Sequence, residues 1–297
     1  MDVDPAHHGS CVTSRARAYV ETMPSKAVSS WSLHRTLGSF MANDPVCPVR
    51  VPKEPEPSPG LPLLELPAEL HRRGYDTVQI CHFHFPTRDQ GYLAELQAAL
   101  ADAEVELDAL LVDDGDLTHP SDADDHEAWI SGWLDDAATL GANRTRVIAG
   151  RQEPSPARLA ESSRRLSRLA ATHSDLRVVT ENWLSLLPTA ADVHAVLDPT
   201  EGAVGLLIDL GNWTGSDKYD QLALVAPMAE TCHAKCRFDQ SGPDADDFRR
   251  SLQVLADAGF AGPLALIYDG PDDAEWAALE QEHTIVGTVF ADEESAA

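Results

Sequence analysis

Val204-Gly205-Leu206-Leu207-Ile208-Asp209-Leu210-Gly211-Asn212 is an apolar run that stops at a carboxylate and then turns. A short run of this kind bounded by turn-forming residues reads as a strand buried on both faces. A carboxylate directly after such a strand is costly unless it is paired, hydrogen-bonded or bound to a cation. The same design recurs on both sides: upstream in Val178-Val179-Thr180-Glu181-Asn182, and downstream in Thr231-Cys232-His233-Ala234-Lys235 and Leu266-Ile267-Tyr268-Asp269-Gly270. Four successive strands therefore each deliver one metal-competent side chain at or near the C-terminal end.

Working outward, the candidate strands are 28–33, 77–82, 107–112, 146–149, 176–180, 204–208, 230–233 and 263–267. Amphipathic stretches alternate with them at 63–73, 88–104, 125–140, 156–172, 189–197, 218–226, 245–258 and 272–284. Several of these begin after a capping residue, as Pro156 follows Ser155, and several end at a glycine, as at Gly74, Gly141 and Gly259. Eight βα units fit a (β/α)₈ TIM barrel, which typically needs about 250 residues. A doubly wound sheet is the alternative, but Leu33-His34-Arg35-Thr36-Leu37-Gly38 holds neither glycine-rich phosphate motif. The expected organisation is an N-terminal tail or arm over 1–27, the barrel over 28–290 and a C-terminal tail over 291–297. The first βα loop, 34–62, is long and carries seven prolines, and a loop of that length inside a compact domain is usually functional. It is expected to cover the barrel mouth between about Phe40 and Pro62.

Composition narrows the partners. The chain has 297 residues, with 22 Lys+Arg against 49 Asp+Glu and a formal charge of −27, so it repels phosphate backbones and anionic lipid. Neither nucleic acid nor a membrane is an expected partner, and no run approaches the ~18 apolar residues of a membrane span. Five cysteines without paired spacing argue against a disulfide framework. The first residues show no basic region followed by an apolar run, so no secretory leader is expected and the cytoplasm is the expected compartment. A homo-oligomer is compatible with all of this.

Barrel active sites are built at the C-terminal ends of the strands. Three carboxylates around one histidine make an oxygen-rich site suited to Mn²⁺, Mg²⁺ or Co²⁺ and tolerable to Zn²⁺. Helix capping is the competing reading for any single one of the acids. His34 ends strand one, and His82 and His84 stand at i, i+2 after strand two, where both would face one side. They are candidates for binding substrate hydroxyls or for acid/base work, or else they are hydrogen-bonded structural histidines. Of Asp113 and Asp114, one is expected to face the mouth and the other solvent. Arg151 either meets an anionic substrate group or pairs with Glu153. Lys235 and Arg237 share the side of His233, which favours a substrate-oxygen contact. Trp129 and Trp133, at i, i+4, read as core or interface.

The Glu-Asn after strand five, the Asp-x-Gly-Asn after strand six, the His-x-Lys of strand seven and the Gly-Pro-Leu-x-Leu-x-Tyr-Asp-Gly of strand eight together resemble the xylose isomerase-like TIM barrels. That family includes ketose 3-epimerases, inosose dehydratases and endonuclease IV, and the resemblance covers about 28–288. It implies one divalent metal, manganese first, held by Glu181, Asp209, His233 and Asp269, with a small carbohydrate substrate completing the shell. It also implies a metal-dependent isomerase or epimerase acting on a sugar, sugar phosphate or cyclitol through an enolate, with Glu181 and Asp269 as catalytic carboxylates. The alternative is a lyase using the same proton abstraction, dehydratase-like or acting on 3-keto-glycosides. The strand-eight position is glutamate in the family. Asp269 is one methylene shorter and is expected mainly as a ligand, leaving a second acid/base to His82 or His84. His34, Arg151, Lys235 and Arg237 are the expected substrate contacts. Endonuclease-like cleavage conflicts with the charge of −27, and a non-catalytic binding barrel is the remaining reading.

Overall fold

The computed structural model describes residues 25–38, 41–42, 44–46, 51–52, 60–270 and 273–290. Its apolar runs form eight strands: β1 Lys26–Ser29, β2 Thr77–Cys81, β3 Glu106–Val112, β4 Arg144–Val147, β5 Arg177–Glu181, β6 Gly205–Asp209, β7 Ala229–Cys236 and β8 Leu264–Tyr268. Each pairs in parallel with the next, and β1 pairs with both β2 and β8, so the sheet closes into a barrel. The crossover helices are α1 Leu66–Arg72, α2 Gln90–Asp102, α3 Ala123–Leu140, α4 Pro156–Thr172, α5 Ala190–Leu197, α6 Lys218–Val225, α7 Ala245–Asp257 and α8 Glu275–Phe290. This is the expected (β/α)₈ barrel. No described helix is long and apolar enough to cross a membrane.

Local chemistry sets the boundaries. Ser155 caps α4 by accepting from the Arg158 amide, with Pro156 in the first turn, and Thr189 caps α5 by accepting from the Asp192 amide. Gly141, at φ 74°, closes α3 in the left-handed conformation that a side chain would strain.

Two expected strands stop early. The apolar run predicts strand one to Leu33, but the Ser29 hydroxyl accepts from the Trp31 amide and starts a 3₁₀ turn over Ser30–Leu33. His34 consequently begins a single helical turn, His34–Leu37, and does not end a strand. Strand two ends at Cys81, and His82–His84 form another 3₁₀ turn. The i, i+2 alternation that would have aimed both histidines at the mouth therefore does not apply to them.

The seam between β1 and β8 joins the two ends of the barrel and is held from several directions. Lys26 Nζ lies 2.7 Å from Glu280 Oε1. The buried Ser32 hydroxyl donates to the Leu266 carbonyl and accepts from the Tyr268 amide, at 3.1 and 2.9 Å. Glu275, fully buried at the start of α8, accepts from the Arg35 and Thr36 amides at 2.9 Å each. Those are first-turn amides of the His34–Leu37 helix, which otherwise lacks an N-terminal side-chain cap.

Of the expected cover over 40–62, Met41–Ala42 pairs with Val51–Pro52 in a small antiparallel ribbon beside the His82–His84 turn. Most of that segment, like the expected tails, lies outside the described residues.

One charged group in α8 serves no visible partner. Glu282 is fully buried, and neither carboxylate oxygen has a hydrogen bond. Burial pushes its pKa well above the ordinary value of 4.5. A carboxyl raised in this way contributes fully to stability only below that ordinary value, and the contribution is lost as pH rises through the folded-state pKa. At neutral pH the native state therefore carries a cost. Glu282→Met should raise stability at pH 7.5 by ~1–3 kcal/mol. Urea denaturation at pH 7.5 and 4.5 checks it: the gain should shrink at the lower pH, and an equal gain at both would show that ionisation of Glu282 is not the cause.

Candidate functional site

Strand alternation builds the site. On β5 and β6, Val178, Leu206 and Ile208 face the helices, while Val179 and Leu207 face the barrel interior. Glu181 and Asp209 follow two residues later on the interior side, at the C-terminal ends of their strands. His233 on β7 lies in register with Asp209. Its Nδ1 is 3.4 Å from Glu181 Oε1 and 3.6 Å from Asp209 Oδ2, and all three residues are buried. One ligand atom from each lies within 4.8 Å of the other two.

The two asparagines of the sequence motifs hold this geometry. Asn182 receives the Asp209 amide at its side-chain oxygen and donates to the Asp209 carbonyl, at 2.7 and 3.0 Å, lacing the end of β5 to β6. Asp209 Oδ1 accepts from the Gly211 and Asn212 amides at 2.6 and 2.8 Å, and the Asn212 side chain returns to Glu181 Oε1 at 2.8 Å. Burial opposes ionisation of Asp209, but His233, Lys235 and the Gly211 amide hold its pKa below the usual carboxylate value. Burial likewise opposes charge on His233, while Glu181 and Asp209 lift its pKa.

The trio fits a divalent cation. It offers one imidazole nitrogen and two carboxylates, and the buried Glu181 Oε2 makes no hydrogen bond, only an ion pair with Arg146 Nε at 3.1 Å. Asp269 does not belong to the group. Its side chain is 46% exposed on the rim, with Oδ2 2.9 Å from Lys235 Nζ. The cause is the spacing on β7: Lys235, two residues beyond His233, enters the cavity on the same face. Its stem also packs so closely over Gly211 that a Cβ there would lie 2.8 Å from Lys235 Cγ. Lys235 lines the cavity beside the trio, as the alternation implied.

The other expected contacts lie elsewhere. His34 turns its Nδ1 to the Trp31 carbonyl at 2.8 Å. His82 accepts the Asp113 amide at Nδ1, 3.1 Å away, and its ring packs edge-on against Trp129 and Trp133. His84 is bonded through Nδ1 to the Ser30 hydroxyl at 2.8 Å, and burial lowers its pKa to about 3. Arg151 binds the 113–116 loop through Asp114 and the carbonyls of Asp113 and Gly115, and not Glu153. Arg237 lies exposed beyond the end of β7. Among the described residues, none of these five lines the cavity.

Residues that sequence reasoning passed over stand there instead. Arg146 on β4 is 2% exposed. Its guanidinium pairs with Asp113, donates to the Val112 carbonyl at 3.1 Å, sits 3.1 Å from Glu181 Oε2 and lies over the Trp183 ring. Burial works against its charge, yet Asp113 and Glu181 raise its pKa. Asp113 is correspondingly held well below the usual carboxylate range by Arg146 and His82, against its burial. Trp31 and Trp183 form apolar walls. The available signal was Arg144-Thr145-Arg146-Val147, a strand with charges at period two where both faces should be buried.

A family model described as xylose isomerase-like TIM barrel matches residues 67–284. No curated protein matches the chain. Among solved structures, a xylose isomerase-like TIM barrel protein from Mycobacterium smegmatis in complex with magnesium is 16% identical with a TM-score of 0.65, covering 91% of this chain and 97% of that one. The apo form of 3-keto-D-glucoside 4-epimerase from E. coli is 14% identical with a TM-score of 0.60, covering 76% and 94%. A probable 3-DHS dehydratase of petrobactin synthesis from Bacillus anthracis is 14% identical with a TM-score of 0.64, covering 88% and 98%. At these identities the likeness is one of fold.

Arg146 is placed to offset both Asp113 and Glu181, and removing one partner of a buried ion pair strands the other charge. Arg146→Met should destabilise the metal-free protein by ~3–5 kcal/mol, and adding Asp113→Asn should recover part of the loss. Urea denaturation of the two single variants and the double variant measures the coupling. Strictly additive effects would mean that the two side chains do not depend on each other.

Proposed function

The chain belongs to the xylose isomerase-like TIM barrel family, and we propose that it is a divalent-metal-dependent isomerase or epimerase acting on a sugar, sugar phosphate or cyclitol. The observation that carries this reading is the buried Glu181–Asp209–His233 trio at the barrel mouth, whose ligand atoms lie within 4.8 Å of one another. Glu181, Asp209 and His233 would hold a divalent cation, Mn²⁺ in the first instance, which would supply polarisation of a substrate carbonyl and its neighbouring hydroxyl.

Proton abstraction from the adjacent carbon falls to Glu181. Asp209 has one oxygen committed to two backbone amides, and Asp113 holds the tighter of the two Arg146 ion pairs, Glu181 the looser one at 3.1 Å. Lys235 stays cationic, because Asp209 and Asp269 raise its pKa against burial, and it faces the negative oxygen that develops as the proton leaves. Trp31 and Trp183 shield the reacting carbon from water and offer flat faces to the C–H surfaces of a sugar ring.

The ion pair between Lys235 and Asp269 favours a second reading, elimination. An epimerase that exchanges a proton across one carbon needs two groups able to reach it, and Asp269 is tied to the rim. In a lyase, Glu181 takes the proton and returns it to the departing oxygen, whose developing charge Lys235 stabilises.

The metal-reconstituted protein, incubated in D₂O with a panel of ketoses, inososes and 3-keto-glycosides, distinguishes the two. One carbon beside the carbonyl should take up deuterium. An isomer of unchanged formula supports the first reading, and loss of water or of the glycosidic group supports the second. Chelation should abolish the reaction and Mn²⁺ restore it, and Glu181→Gln should lower kcat by ~10²-fold or more. Exchange that survives chelation, or turnover untouched by Glu181→Gln, would overturn the proposal.

A further inference from the structure

We infer that Gln79 is a positioning residue for the proposed metal site: its side-chain carbonyl takes the Nε2 proton of His233 and leaves the Nδ1 lone pair facing Glu181 and Asp209. The inference rests on the metal-dependent reading above.

Gln79 lies in the middle of β2, fully buried in the barrel interior. Its Oε1 is 2.8 Å from His233 Nε2. Its Nε2 donates to Asp108 Oδ2 at 2.7 Å and to the Thr231 hydroxyl at 3.0 Å. The Thr231 hydroxyl in turn donates to Asp108 Oδ2 at 2.8 Å, and Arg144 pairs with the same carboxylate.

The two ends of an amide resemble each other closely enough that its orientation has to be derived from its partners. Here Asp108 decides it. An ionised carboxylate only accepts, so the NH₂ group of Gln79 must face Asp108 and its carbonyl must face His233. A carbonyl also only accepts, so Nε2 carries a proton. A neutral imidazole has a single N–H, and Nδ1, the atom 3.4 and 3.6 Å from the two carboxylates, is then bare.

The competing pull is strong. Without an acceptor behind the ring, Glu181 and Asp209 would draw the single proton to Nδ1, and the site would be closed to a cation. The line Arg144–Asp108–Gln79–His233 thus carries an orientation from the N-terminal end of β4 to the barrel mouth. Partners behind a metal-bound histidine commonly change affinity by ~10–100-fold when removed.

Titrating Mn²⁺ alone into the metal-free wild-type, Gln79→Met and Gln79→Glu proteins tests this by calorimetry. Gln79→Met, which fills the space without accepting, should weaken binding by ~10–100-fold. Gln79→Glu keeps an acceptor oxygen behind the ring and should bind far more tightly than Gln79→Met. A role in packing alone predicts the opposite order, because Met fits an apolar slot and a carboxyl beside Asp108 does not. That order would overturn the inference, as would wild-type affinity in Gln79→Met. Long-range ¹⁵N–¹H spectra of the metal-free wild-type protein, at a pH where the His233 ring is neutral, give an answer that needs neither metal nor variant. A proton on Nε2 supports the inference and one on Nδ1 overturns it, even should the variants fail to fold. A wild-type protein with that Nε2 proton and no affinity for Mn²⁺ would support the positioning role while removing the metal-dependent reading.

Discussion

Holding Glu181 and Asp209 next to one another, away from water, is the constraint around which the barrel mouth is arranged. Two buried carboxylates that face each other cost several kcal/mol unless their charge is met from nearby. Every polar residue around them meets part of it: the Gly211 and Asn212 amides and the Asn212 side chain by hydrogen bonds, His233 and Lys235 by charge, and Arg146 from below. Arg146 brings its own counter-ion, Asp113, so its charge is shared between two acids. With His233 neutral, the carboxylates of Glu181, Asp209 and Asp113 outnumber the cations Arg146 and Lys235 by one, an excess of negative charge that a bound cation would meet.

The interior is correspondingly unlike that of a barrel filled by branched apolar side chains. Its apolar layer is small: Cys81, Phe83, Ala109, Leu111, Val179 and Leu207. Below and beside this layer run Arg144, Asp108, Thr231 and Gln79, each bonded to the next. The extensive apolar packing lies outside the sheet, under the helices. Stability and chemistry are thus divided between the two faces of one set of strands, and substitutions on the outer face affect mainly the first.

This division explains what was legible in the sequence. Apolar runs ending in Glu181, Asp209 and His233 were readable because a central strand must be apolar on its outer face and a charge at its end is an exception that asks for a reason. The eight-strand count followed from the same runs. Gln79 and Arg146 were not read as site residues, because a polar residue inside a short strand gives no sign of whether it points into a barrel or marks the end of the strand. His82 and His84 misled for a related reason: the i, i+2 rule holds only within a strand, and the backbone turned at Cys81. Asp269 stands where the family pattern puts a ligand, yet a competitor from the neighbouring strand, Lys235, holds it on the rim. No single-strand pattern contains that information.

The seam between β1 and β8 has a consequence for how the chain is made. A ribosome releases Lys26, Ser32 and the His34–Leu37 turn long before Leu266, Tyr268, Glu275 and Glu280, their partners across the seam. Until those last partners emerge, β1 presents an unpaired edge and the amides of Arg35 and Thr36 lack their carboxylate. Contacts separated by nearly the whole sequence carry the largest loop-closure cost and form late. Seven strands without β8 leave an open sheet with adhesive edges, so closure waits on β8 and on α8, whose Glu275 and Glu280 hold the seam.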